Sequence, residues 1–116
     1  ESVKRYIRDN SANTELSVAY IAEHFSISAA HLGNRFRKLN GMGILDYIHM
    51  VRLAKCKELL EQGYAIKDCV GMTGYTDIKT LQRAFKRYEG ITPGQYKETI
   101  LHQKRCTDNA VKKTGR

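Results

Sequence analysis

One half of this chain repeats the other. A shift of 49 residues places Ser28 on Asp77, Leu32 on Leu81, Phe36 on Phe85, Gly41 on Gly90 and Tyr47 on Tyr96. Upstream of these positions the shift is 48, pairing Val18 with Ile66, Ile21 with Cys69 and Ala22 with Val70. Few of the paired residues are identical, but the helix-capping types and the apolar skeleton coincide. Each copy reads as a short helix, a tight turn and a longer helix, which is the helix-turn-helix pattern. The fold class that follows is all-α, with two such units.

The remaining segments fit around the two copies. Val3, Tyr6 and Ile7 share one face of a first helix that ends near Asn10-Ser11. Ser17 can cap a second helix carrying Val18, Ile21, Ala22 and Phe25, and Ser28 a third carrying Leu32, Phe36 and Leu39. Residues 44–62 form the longest helical stretch, and Leu45, Ile48, Val51, Leu53, Ala54, Cys56, Leu59 and Leu60 spread over more than one face. Such a distribution implies packing on two sides. Ile66, Cys69 and Val70 mark a short helix, the turn Gly74-Tyr75-Thr76 follows, and Asp77 caps a helix with Leu81, Phe85 and Tyr88. In Thr92-Pro93-Gly94-Gln95 a capping Thr, a Pro at the first helical position and a Gln three residues after the cap open a last helix, with Tyr96, Ile100 and Leu101. The expected organisation is a first unit over residues 1–43, a linker helix over 44–62, a second unit over 63–103 and a basic, disordered tail over 104–116.

Composition narrows the function classes. Lys and Arg number 20 against 12 Asp and Glu, a net charge of +8, within a chain that is 41% hydrophobic and 28% charged. That balance suits a folded domain with an acidic partner, nucleic acid foremost. No run approaches the roughly 18 apolar residues of a membrane span, and the first residues, Glu1-Ser2-Val3-Lys4-Arg5, lack a signal-peptide pattern. The expectation is a cytoplasmic domain cut from a longer protein, without membrane contact. The cysteines at 56, 69 and 106 and the histidines at 24, 31, 49 and 102 have no metal-ligand spacing. Cys56 and Cys69 fall at apolar helix positions and read as packing residues. The glycines follow no phosphate-loop or dinucleotide pattern, and no nucleophile–base–acid set can be assigned. No enzyme activity, metal or cofactor is expected.

The faces opposite the apolar skeleton carry the functional reading. At about 100° per residue, placing Leu32 and Phe36 inward leaves Ala30, Asn34, Arg37 and Lys38 outward, with Gly33 on the edge. In the second copy the same wheel exposes Lys79, Arg83, Lys86 and Arg87, with Gln82 on the edge. Arg and Gln can bond base edges in pairs, and Lys and Arg neutralise phosphates. A joining helix of about 19 residues spans about 28 Å, close to the ~34 Å between successive major-groove segments on one DNA face. Charged outward faces are common on any surface helix. Here a four-residue basic face recurs in register with a helix-turn-helix pattern, which favours DNA.

Arg52-Leu53-Ala54, Leu59-Leu60, Ile66 to Val70, Gly74-Tyr75-Thr76-Asp77, Leu81, Arg83, Phe85-Lys86 and Gly90-Ile91-Thr92-Pro93 resemble the signature of AraC/XylS-type transcription regulators. Leu16 to Ala22, Ser28, Leu32, Phe36-Arg37 and Gly41 agree in the first half, so the resemblance covers residues 3–98 or so. It implies a seven-helix C-terminal DNA-binding domain of a bacterial regulator, with two helix-turn-helix units joined by a long helix. By the same resemblance, base-reading positions fall on Ala30, Gly33 and Asn34 in the first unit. In the second they fall on Ile78, Lys79, Thr80, Gln82 and Arg83. Phosphate contacts fall on Ser17, Ser28, Thr76 and Thr92, each of which is also a possible helix cap. RNA polymerase is implied as a second partner, and a sensor or effector domain as the missing remainder. Ala30 and Gly33 are smaller than the side chains often found there, so the first unit is expected to read fewer bases. Two rival readings remain open: a non-specific nucleic-acid binder, and a helical protein-interaction module.

Overall fold

The computed structural model describes residues 2–101. Its helices are α1 (Ser2–Asn10), α2 (Val18–His24), α3 (Ala29–Asn40), α4 (Ile44–Glu61), α5 (Ile66–Thr73) and α6 (Ile78–Glu89), followed by α7 at residues 93–101. No strand occurs among the described residues. The seven-helix, double helix-turn-helix architecture is the one expected from the repeat. The tail expected at 104–116, with Cys106 and the nearby His102, lies outside the described residues.

Local chemistry sets most helix boundaries. The Ser17, Ser28 and Asp77 side chains accept the backbone N–H of Tyr20, His31 and Thr80 at 3.1, 3.1 and 2.8 Å. Each satisfies a donor that the first helical turn leaves without a carbonyl. Thr92 and Gln95 form a reciprocal capping box: the Thr92 N–H donates to Gln95 Oε1 at 2.9 Å and the Gln95 N–H to Thr92 Oγ1 at 3.1 Å. α3 and α6 both end at a left-handed residue, Gly41 and Gly90. The turns inside the two copies also match. Ser26 (φ +57°) and Gly74 (φ +102°) are left-handed at positions equivalent under the 48-residue shift. Ser carries a Cβ there and so holds a conformation that costs it roughly 1 kcal/mol or more.

Two separate clusters of buried side chains organise the molecule. Ile7, Leu16, Ile21, Ala22, Leu32 and Phe36 pack with Ile44, Tyr47 and Ile48 at the start of α4. Leu53, Cys56, Leu59 and Leu60, from the rest of α4, pack with Cys69, Tyr75, Leu81, Ala84 and Phe85. At about 100° per residue the two α4 stripes are offset by roughly 130°, so this helix has no single apolar face. It buries one side in the N-terminal lobe and another in the C-terminal lobe, which is the packing on two sides that its sequence implies.

Four apolar positions depart from the simple helical pattern. Leu39 is 71% exposed although it follows Leu32 and Phe36 on one stripe; Met42 and Ile44, past the end of α3, join the N-terminal cluster and Leu39 does not. Leu45 points away from the stripe of Ile44 and Ile48 and is exposed, as are Ala54 and Leu101. The buried polar side chains Arg52 and Thr73 are both satisfied. Thr73 Oγ1 donates to the Cys69 carbonyl at 2.7 Å, and Arg52 spans the two lobes.

Candidate nucleic-acid interface

The second helix of each helix-turn-helix, α3 and α6, carries the candidate surface. Burial of Leu32 and Phe36 turns Ala30, Asn34, Arg37 and Lys38 outward, with Gly33 half-buried at the edge. Burial of Leu81, Ala84 and Phe85 likewise turns Ile78, Lys79, Thr80, Gln82, Arg83, Lys86 and Arg87 to solvent. Ile78 is the one large apolar side chain on this face, 40% exposed. On both helices the basic residues of the last turn, Arg37 with Lys38 and Lys86 with Arg87, also sit favourably at the negative end of the helix dipole. That role does not compete with a phosphate contact, since the side-chain heads remain exposed.

The hydroxyls at the helix starts are engaged. Ser17, Ser28 and Thr92 accept helix N–H groups, and each O–H is left able to donate to a phosphate oxygen. Thr76 is exposed beside Asp77. Hydrogen bonds from Thr80 hold the Asp77 carboxyl below the usual range, with Arg83 adding to the effect. The start of α6 therefore carries a fixed negative charge, whereas the start of α3 is capped by neutral Ser28. The two helix starts thus differ in charge, with the Asp77 carboxylate at α6 and no ionised cap at α3.

Between α6 and the start of α4 runs a groove of about 270 Å³, lined among others by Asp46, His49, Thr80, Arg83, Arg87 and Tyr88. Leu45, displaced from the core, forms part of its wall. Tyr88 Oη donates to Asp46 Oδ1 at 2.8 Å, tying α6 to α4. Arg87 lies over the Tyr88 ring at 5.8 Å. His49 stacks on Tyr88 and Tyr75, with centroids 5.0 and 5.7 Å away, and its Nδ1 is 2.7 Å from Tyr75 Oη. Burial, and then the charge of Arg52, lower the His49 pKa. Asp46 pulls the other way and Arg87 adds to the lowering. Arg37 folds against Gly43, where a Cβ would lie only 3.1 Å from its Nη2.

Three groups that hold the surroundings of this surface escaped the sequence reading: Asp46, His49 and the long-range contacts of Arg52. Their partners lie 26 to 42 residues away in the chain. The one available signal was an Arg at a position of α4 flanked by core residues. The cysteines sit where the sequence places them: Cys56 and Cys69 are free and buried, and burial pushes the Cys56 thiol up to about 12.

Paired helix-turn-helix units on one central helix, each with a polar outward face on its second helix, define a double-headed DNA-binding domain. The helix-turn-helix domain model of the AraC type matches residues 21–99, and the chain belongs to that family, the AraC/XylS-type transcription regulators. An Escherichia coli K12 relative, the uncharacterized HTH-type transcriptional regulator YpdC, is 30% identical over 96 residues, covering 82% of this chain and 33% of the relative. The chain thus spans about a third of that relative's length. Among solved structures, the C-terminal domain of AraT, a response regulator from Geobacillus stearothermophilus, shares the fold at a TM-score of 0.82 and 24% identity, covering 84% of this chain and 82% of that one. The DNA-binding domain of AdpA, solved in complex with a target DNA, shares it at 0.80 and 22% identity, covering 88% and 92%.

Proposed function

We propose that this domain regulates transcription by holding one extended double-stranded DNA site with α3 and α6 in adjacent major-groove segments. The observation that carries the reading is the pairing of two solvent-facing second helices on one α4 of 18 residues. Such a helix spans about 27 Å, against a groove repeat of about 34 Å. Arg83, Lys79 and Gln82 read base edges from α6, flanked by Ile78 and Thr80. Asn34 reads from α3, where Ala30 and Gly33 let the backbone approach closely. Arg37, Lys38, Lys86 and Arg87 neutralise phosphates, helped by the hydroxyls of Ser17, Ser28, Thr76 and Thr92. Residues 1–43 and 63–103 act as the two heads and 44–62 as their spacer. The target is chromosomal DNA in the cytoplasm, and the AdpA domain with its bound DNA supports the choice of ligand.

Selection from a random duplex library, followed by salt-titrated binding to the enriched site, tests the reading. One asymmetric motif covering two successive groove segments is the expected result. Binding without sequence enrichment that vanishes as salt rises would overturn it in favour of backbone attachment alone. Transcription by purified RNA polymerase from a promoter carrying the selected site tests the second partner that the family resemblance implies.

A further inference from the structure

Arg52 lies in the middle of α4, between Val51, which packs against the N-terminal cluster, and Leu53, the first α4 residue of the C-terminal one. It is 7% exposed, unusual for a charged side chain on a helix of this kind. Its Nε donates to the Ser11 carbonyl at 2.9 Å and its Nη2 to the Asn13 carbonyl at 2.8 Å. The guanidinium carbon is 5.4 Å from the centre of the Tyr75 ring. Ser11 and Asn13 belong to the loop that leads into α2, and Tyr75 to the turn that leads into α6. A single side chain therefore gathers the connection preceding one helix-turn-helix and the internal turn of the other.

The two loops also touch directly. Gly74 is left-handed, and a Cβ on it would collide with the Ser11 carbonyl and lie 2.8 Å from Arg52 Nε. The N-terminal loop is thus seated on the turn before α6 with no room for a side chain between them. Without this junction, the angle between the lobes would depend only on how each docks on its own stripe of α4. With it, the lobes are tied to each other as well. The tie needs two divergent donors in one plane and a flat face for the ring, which guanidinium supplies and ammonium does not.

We propose that Arg52 is a positioning residue that fixes the angle and separation of α3 and α6, and thereby selects one spacing between the two halves of the DNA site. The proposal rests on the double-headed reading above. Each base pair added between the halves rotates one groove segment by about 34° relative to the other. A locked pair of heads cannot follow that rotation, and a loosened pair can. Loosening also lowers the effective concentration of the second head once the first has bound.

The test compares wild type with Arg52→Met, which keeps the stem and removes the donors, and with Arg52→Lys, which keeps the charge. Binding is measured on the selected site, on sites with one base pair inserted or deleted between the halves, and on each half alone. Wild type is expected to fall steeply with either spacing change. Both variants are expected to lose about ten- to hundredfold on the preferred spacing, to flatten the spacing profile and to bind isolated halves unchanged. Losses by one common factor on every DNA, halves included, would make Arg52 a residue of general stability and overturn the proposal. So would a wild-type spacing profile in both variants. A second measurement needs no DNA: residual dipolar couplings from α3 and α6 fit one alignment in wild type and two in Arg52→Met. A flat wild-type profile together with one shared alignment would refute the double-headed reading while leaving the clamp intact; one alignment retained in Arg52→Met refutes the clamp itself.

Discussion

Because the two buried clusters share α4 and are otherwise joined by the Arg52 and Gly74 contacts with the N-terminal loop, removing a core side chain from one lobe should unfold that lobe and largely spare the other. Phe85 is the sharpest probe. It is fully buried, packs against Tyr96 with ring centroids 5.6 Å apart, and holds α6 onto the C-terminal cluster. Phe85→Ala removes a whole ring from a site closed on all sides, a change that costs about 3–5 kcal/mol. A small lobe seldom has more than about 3–5 kcal/mol of its own stability. The lobe would therefore open often, and at 1.4 kcal/mol per factor of ten its amide protection would drop by between about a hundredfold and several thousandfold. Amides of α2 and α3 should lose less than about tenfold, the scale expected from weakening the few bonds at the Arg52 junction. Hydrogen exchange resolved by peptide or by NMR reads both numbers in one experiment. Phe36→Ala, at the equivalent position of the other lobe, should give the mirror image. Equal loss of protection in α3 and α6 from either variant would mean that the molecule unfolds as one unit, and the picture of two cores on one helix would be wrong.

Arg83→Ala should cost about 1–3 kcal/mol on the selected site and blur preference at one base pair, while Lys86→Ala should weaken all DNA alike and reduce the salt slope by about one; quantitative binding on cognate and scrambled duplexes separates them, and equal losses from Arg83→Ala on both would remove it from base reading. Ser28→Ala should lower stability in urea by about 1 kcal/mol through the lost cap on α3, and a variant that folds as stably as wild type would show that Ser28 Oγ is not needed by the helix. The His49 pKa is lowered from 6.5 by burial and by Arg52. Its contribution to stability is therefore full above that pH and is lost as pH falls through 6.5 toward the depressed folded value. The drop in Tm on acidification from about pH 7.5 to about 5.5 should be larger in wild type than in His49→Gln, and identical drops would show that folding does not lower the His49 pKa.

What the sequence made legible was chemistry that acts within a few residues. Ser17, Ser28, Asp77 and the Thr92–Gln95 pair cap the helices they precede because capping is decided by the side chain and the next three N–H groups. The outward faces of α3 and α6 follow from burial of Leu32, Phe36, Leu81 and Phe85 at helical spacing. Long-range partners left less trace. Arg52 bonds to main-chain carbonyls, 41 and 39 residues away, and a carbonyl belongs to every residue type. Leu39 misled because helical periodicity says which way a side chain points and nothing about where the opposing surface ends. Ser26 is an intermediate case: serine is no marker of a left-handed turn, but the repeat sets it opposite Gly74, where glycine does mark one.

The outward faces of α3 and α6 are chemically unequal, and the proposed junction would give that inequality a purpose. In the proposed reading α6 offers Lys79, Gln82 and Arg83 for bases, while the ionised Asp77 disfavours a phosphate on the N–H groups of its first turn. α3 has few side chains long enough to reach base edges, with Ala30 and Gly33 near its start, and the proposal gives its first turn, capped by neutral Ser28, a phosphate contact instead. One helix is thus better suited to reading sequence and the other to gripping backbone. A backbone grip has no register of its own, because phosphates repeat at every base pair. On a flexible tether it would add affinity anywhere along the duplex and discriminate nothing. If Arg52 holds it at a fixed angle as proposed, the same grip would be productive only with α6 on its bases one groove segment away. Rigidity at the junction would then let a non-specific contact contribute to specificity, and the spacing between the two halves would become part of the sequence the domain recognises.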